Sequence, residues 1–413
     1  MCNFAAEIDM KENENMLHSS LLRLKEYCEQ EQFKEWDPYD GLNSRLFQAL
    51  PFFKHSALCR LVVIQGFKRC PVNLRRVAMV PKQHNAKGVG LFVQGYCNLY
   101  RAVERRPELA AQFGSLETIA SRIHELSRLL ISMRSPGDYH GACWGYNFDW
   151  QARRLFLFPK DTPTVVATNF AATALMEAAE VTGCKEYLDV ALSAAQFVLH
   201  DLHRTPYASG FLFSYSPLAG NDTVFNASLL GSRLLSYCYR HTADEECREA
   251  ARQSVVACCA GQRDDGAWVY GMLPVQSWVD SFHTGYNLDG LQAYEALTGD
   301  TSMHDFLERG FDYYVNHFFL PDGAPKYYDN QQYPIDIHCP GQLFVTLART
   351  GRFAQHRDLA QRVLRWTVEH MQDSKGYFYY QLKKGISSKI SYMRWSNAFM
   401  FYALSYYLLN ENE

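Results

Sequence analysis

A glycine followed closely by aromatic residues recurs five times, as GACWGY from Gly141, GFLFSY from Gly210, GAWVYG from Gly266, GAPKYY from Gly323 and GYFYYQ from Gly376. Subtracting positions gives separations of 69, 56, 57 and 53 residues. An amphipathic helical stretch precedes each mark, and a more apolar one follows after a polar junction. The second stretches read TNFAATALMEAAEVTG, NASLLGSRLLSYCYRHT, TGYNLDGLQAYEALTG, CPGQLFVTLARTG and WSNAFMFYALSYYLL. A repeat of this kind is one helical hairpin, which cannot bury its apolar face alone. Small residues in the second helices suit close packing on several sides, hence an inner ring. The single apolar stripe of helices such as RDLAQRVLRWTVEHMQ suits an outer one. Three inner runs close with Gly just past the last turn, a left-handed cap. With the earlier run KGVGLFVQGYCNLYRAVE and the helical text before it, the hairpins number six. Six hairpins close into an all-α (α/α)6 toroid; repeats this irregular, with long aromatic connections, do not suit an open solenoid. Residues 1–60 are expected as an N-terminal helical extension packed on a toroid of residues 61–413.

Composition narrows the partners. A net charge of −3 over 413 residues gives no global case for nucleic acid or an acidic membrane. No run approaches the roughly 18 continuous apolar residues of a membrane span, so no membrane insertion is expected. MCNFAAEIDMKENENMLHSS lacks the basic-then-apolar pattern of a secretory signal. The 12 cysteines are scattered without a CxxC pair, which reads as buried reduced thiols and a cytoplasmic location. The 26 Tyr, 26 Phe and 7 Trp suit a large core, and at loop ends Tyr and Trp also suit a ring-shaped ligand such as a sugar.

In a toroid all inner helices begin at one end. Counted from the Gly marks, Asn226 stands at +16, His283 at +17, His338 at +15 and Arg394 at +18. A longer insertion puts Thr168 and Asn169 at the corresponding place, and Asp222, Asp280 and Asp336 lie just upstream of their helices. These groups converge on one mouth, where helix N-termini also favour an anion. The bland alternatives are that the aspartates only cap helices and that His338 is a bonded core histidine.

Two chemistries remain open. Proton abstraction beside a carboxylate needs a base, an acid and a cation, which His283, His338 and Arg394 supply. Hydrolysis needs two carboxylates, for which Asp149 and Asp280 are the best pair. The expected sugar-binding residues are Trp144, Tyr146, Trp150, Asn169, Tyr215, Asn226, Trp268, Tyr286, Tyr328, Asp336, Arg394 and Trp395. The basic run through Lys68, Arg69, Arg75, Arg76, Lys82 and Lys87 is a solvated face or an acidic-substrate contact, and Asp37 and Asp40 are candidate caps. No Walker loop or GxGxxG fingerprint occurs in a suitable context. His283, His338 and Cys339 lack tight metal-ligand spacing, so neither cofactor nor metal is expected.

DSFHTGYNLDGLQAYEALTGD, YPIDIHCPGQ and YMRWSNAFMFYALSYYL, together with WDPYDGLNS and KRCPVNLRR, resemble uncharacterised bacterial toroid proteins associated with exopolysaccharide or capsule biosynthesis. More distantly, the architecture is similar to N-acylglucosamine 2-epimerases, unsaturated glucuronyl hydrolases and glucuronyl C5-epimerases. Paired histidines in the first would correspond to His283 with His338, and aspartates near the mouth in the second to Asp149 with Asp280. QRDDGAWVYG resembles the QxxDGxW repeat of terpene cyclases, but no DxDD motif accompanies it. The zinc motifs of lanthionine cyclases are not reproduced by ACWG or IHCPG. The resemblance implies a carbohydrate-active enzyme of polysaccharide metabolism: an epimerase, lyase or glycoside hydrolase acting on an acidic or acylated sugar or oligosaccharide, with polysaccharide-assembly partners. A non-catalytic glycan-binding scaffold, or a terpene or peptide cyclase, is the alternative.

Overall fold

The computed structural model describes residues 2–151 and 157–412, with side chains from residue 11 onward. In chain order the ring consists of α1 (Cys2–Gln30), α2 (Ala86–Arg105), α3 (Leu116–Ser132), α4 (Val165–Thr182), α5 (Lys185–His200), α6 (Phe225–Thr242), α7 (Glu245–Ala260), α8 (Ser281–Thr298), α9 (His304–His317), α10 (His338–Arg349), α11 (Arg357–Met371) and α12 (Phe399–Asn410). Even-numbered helices form the inner ring. Each packs on its two inner neighbours, and α12 returns to α2, so the (α/α)6 toroid is closed. Odd-numbered helices form the outer ring. The segment before residue 60 supplies α1, which lies against α11 and α12, and then a loop with short helices.

The glycine marks have a steric cause. A Cβ on Gly141, Gly210, Gly266, Gly323 or Gly376 would lie 1.9, 2.1, 2.3, 2.4 or 2.3 Å from the carbonyl oxygen of Ser193, Gln253, Arg309, Arg362 or Arg23. Each oxygen belongs to the outer helix of the next repeat, and the last belongs to α1. The recurring glycine is therefore the contact between repeats, and Gly376 closes the ring. Gln262 and Gln372 add a stitch at two of these contacts. The Gln262 amide donates to Gly266 O and Phe306 O, and that of Gln372 to Gly376 O and Ser20 O. This gives Gln262 and Gly266 of the QRDDGAW motif a structural role at the contact between repeats.

Three antiparallel ribbons sit at the end where inner helices begin: β1 (Trp150–Gln151) with β2 (Leu157–Phe158), β3 (Arg204–Tyr207) with β4 (Gly210–Phe213), and β5 (Ile335–Asp336) with β6 (Gln381–Leu382). At the opposite end, Gly183, Gly299 and Gly351 follow inner helices with φ of 70°, 76° and 66°. Among the described residues no helix is long and apolar enough to cross a membrane.

Candidate active site at the mouth of the toroid

Asp280 precedes α8 in extended backbone, and its Oδ1 accepts the His283 backbone N–H at 3.1 Å, a side-chain N-cap. Its Oδ2 accepts from His283 Nδ1 at 2.8 Å and from Trp278 Nε1 at 2.9 Å. One carboxylate thus caps the helix and fixes the imidazole. A neutral His283 that donates from Nδ1 keeps a lone pair on Nε2. The ring lies among Tyr270 (4.7 Å between centroids), Phe282 (4.0 Å) and Tyr286 (6.1 Å), with 20% of its side chain exposed.

His338 begins α10 and is buried. Its ring stacks on Phe399 at 3.9 Å and 16°, beside Trp395 at 4.5 Å and Phe282 at 5.2 Å. Its Nδ1 has no hydrogen-bond partner. Burial, then the charges of Lys87, Arg394 and His283, push its pKa well below the ordinary histidine range. Asp336 accepts the His338 backbone N–H at 3.0 Å, Trp395 Nε1 at 2.8 Å and Gln381 Nε2 at 3.1 Å. Burial pushes the Asp336 carboxyl up to about 6, against those hydrogen bonds.

Two basic side chains complete the cluster. Lys87, in the first turn of α2, donates to Tyr286 Oη at 3.1 Å and lies over the Phe170 ring at 4.4 Å. Burial, reinforced by Arg394, holds this amine well below the usual lysine range, with Asp37 opposing. Arg394 stands on a π-helical turn, Met393–Ala398, that leads into α12. Such turns recur at functional sites. It donates from Nε and Nη2 to the two oxygens of Asp37, at 2.6 and 2.9 Å. Burial alone would lower its pKa; the Asp37 charge holds it above the usual arginine value. Asp40, one turn on, pairs with buried Arg75. The WDPYDGL loop is therefore tied across the mouth, where Tyr39 packs between Trp150 and Trp395.

The structure brings together His283, Asp280, His338, Asp336, Tyr286, Arg394 and Trp395. Tyr146 joins them under the Arg394 guanidinium (5.2 Å), with its hydroxyl 3.0 Å from that of Tyr215, and Trp150 packs on Tyr215. Tyr328 bridges to Asp280 through the backbone. Asn169 and Asn226 are buried near the starts of α4 and α6, each with Oδ1 unbonded. The other expected residues sit differently. Trp144 and Trp268 are packed in the core, their Nε1 donating to Leu130 O and Cys258 O. Asp149 accepts the Lys160 backbone N–H at 2.7 Å, and Asp222 bonds Thr205. Tyr39 had no place in the expected set, Lys87 stood there only as one charge of the basic run, and Asp37 only as a candidate cap. Lys87 was findable, because it stands at the start of an inner helix as His283 and His338 do. Among the described residues the one cluster with metal-ligand spacing is Glu14, His18 and Glu411, part of whose capacity goes to the Glu411 ion pairs with His18 and Arg106.

No family model and no curated protein sequence matches the chain. Solved structures do. A sugar epimerase from a ruminal bacterium is 12% identical, with a TM-score of 0.57 over 80% of this chain and 90% of that one. An unsaturated glucuronyl hydrolase specific for heparin is 12% identical, with a TM-score of 0.59 over 95% and 97%. Cellobiose 2-epimerase from Bacillus thermoamylovorans is 14% identical, with a TM-score of 0.56 over 79% and 90%. At such identities the similarity establishes the (α/α)6 toroid fold.

Proposed function

We propose that the protein is a carbohydrate-active enzyme that transfers protons at a carbon beside a sugar carbonyl or carboxylate, an epimerase-type reaction. One observation carries this reading: Asp280 binds His283 Nδ1, leaving Nε2 as a base at a mouth that also holds a buried amine and a neutral imidazole. His283 Nε2 takes the proton from carbon, and the electron pair moves onto the carbonyl oxygen as an enolate. Lys87 and neutral His338 stabilise that oxygen, as a neutral imidazole can. Water then protonates the opposite face, which inverts the centre, and the hydroxide it leaves takes the proton held on His283. The half-buried rings of Trp150, Trp395 and Tyr39 suit the faces of a sugar, and the Arg394 guanidinium suits an acidic one. A cytoplasmic location fits the free cysteines, and epimerisation of a sugar fits the similar structures.

Hydrolysis by Asp149 and Asp280 has less support. Asp280 already accepts three hydrogen bonds, and Asp149 holds a turn. The test incubates the protein in D2O with reducing acylamino sugars and uronic acids, read by NMR. The reading predicts deuterium at the carbon beside the carbonyl, together with a new epimer. Cleaved glycosidic bonds without deuterium at that carbon would replace it with hydrolysis.

A further inference from the structure

The molecule has one end unlike the other. Every strongly exposed large hydrophobic residue among those described lies in a segment that runs from an outer helix to the next inner helix, at the mouth end. The loops of the opposite end contribute none. Ten of the 15 fall between Leu46 and Met79, including Phe52 at 90% exposure, Val77 at 76% and Leu58 at 70%. Val275 and Ile386 add to the same rim from other repeats. A soluble surface rarely gathers apolar side chains this way without a partner.

The short helix Ala57–Arg69 accounts for part of the patch. Ile64 packs inward with Leu42 and Phe47, against Tyr39 and Trp150 of the mouth. Leu58 and Val62, one turn apart, stay exposed on its outward side. The anchoring core holds this side out rather than folding it away.

Charge selects the partner. From Gly41 to Lys82 the chain has eight Lys and Arg and no Asp or Glu, although its overall charge is −3. Arg75 is spent on Asp40, and Lys82 pairs with Glu31. Arg45, Lys54, Arg69 and Arg76 make no ion pair among the described residues. Lys383, held below the usual lysine range by burial and by the charges of Arg69 and Lys68, extends the basic edge. A second copy docked through this face by a two-fold axis would set like charges against each other. An anionic surface complements them, and rings of apolar side chains around basic groups are what an interfacial lipid contact uses.

We infer that the mouth end docks on an anionic phospholipid bilayer, with Phe52, Phe53, Leu58 and Val77 in the headgroup region and Lys54, Arg69 and Arg76 against the lipid charges. The protein lies on the membrane without spanning it, and docking does not depend on the chemistry at His283.

The experiment is sedimentation of the full chain with vesicles of equal parts phosphatidylglycerol and phosphatidylcholine, beside vesicles of phosphatidylcholine alone. Binding is expected to the anionic vesicles and to weaken as salt is added. Lys54→Glu with Arg69→Glu and Arg76→Glu should lower partition by roughly 10²-fold, and Phe52→Ser with Phe53→Ser should also release the protein. These positions lie outside the main core, so circular dichroism and melting temperature should match the parent. Failure to bind anionic vesicles, or equal binding by the variants, overturns the inference. So does a dimer, measured by sedimentation velocity, that the same substitutions dissociate, because the face would then belong to a second copy.

Discussion

His283 and His338 occupy equivalent places in adjacent hairpins, yet their surroundings are opposite. In the first, Asp280 stands three residues ahead, and that spacing lets one carboxylate reach both the backbone N–H and Nδ1 of the same histidine. In the second, Asp336 stands two residues ahead. It reaches the backbone N–H, but its remaining bonds go to Trp395 and Gln381, and the ring is left against Phe399 without a carboxylate. A difference of one residue separates an oriented, partly open base from a buried neutral imidazole. The repeat fixes where a side chain stands; the partner beside it fixes what it can do.

The largest expected effect comes from breaking the first hairpin. His283→Gln should lower turnover by roughly 10²–10⁴-fold with little change in melting temperature, since the ring is partly open. Asp280→Asn, whose amide still caps α8, should also cost turnover at nearly constant stability. Equal activity in both variants would reduce the segment to a helix cap.

Lys87→Met sharpens the contrast in the other direction. The unfolded chain holds a protonated amine at neutral pH, and the folded site resists that charge. Stability is therefore already lost at pH 7, well below the ordinary lysine value. An apolar side chain of similar length should raise unfolding free energy by about 1–4 kcal/mol while activity falls, read by chemical denaturation and turnover. A drop in stability would mean that the contacts with Tyr286 and Phe170 outweigh burial.

The smallest effect is a change of slope. His338 has a depressed folded pKa, so its contribution to stability is present above the ordinary value of 6.5 and is lost as pH falls below it. His338→Phe keeps the stack on Phe399 and should flatten that acid limb relative to the parent protein. An unchanged slope in urea titrations from pH 7 to pH 4 would show that the buried imidazole charges freely.

The ring was legible because each repeat writes its contact as a glycine: Gly141, Gly210, Gly266, Gly323 and Gly376 stand where a backbone carbonyl leaves no room for Cβ. The starts of the inner helices were legible too, since polar residues interrupt apolar text at Asn226, His283, His338 and Arg394. What the local pattern could not carry were partnerships across the chain. Asp37 reads as a cap, and only folding sets it on Arg394, 357 residues away. Lys87 reads as one charge in a basic run, although its amine is enclosed by Phe170 and Tyr286. Trp144 and Trp268 look like sugar platforms, but each Nε1 finds a carbonyl within the helical wall.

The central claim is that Asp280 holds His283 as the Nδ1–H tautomer while His338 stays neutral. Long-range 15N–1H correlation spectra of histidine-labelled protein, assigned with His283→Gln and His338→Phe, test it directly. The account predicts that the neutral form of His283 carries its proton at Nδ1, and that His338 remains neutral at pH 6. A His283 protonated at Nε2 instead, or a cationic His338 at that pH, would contradict it.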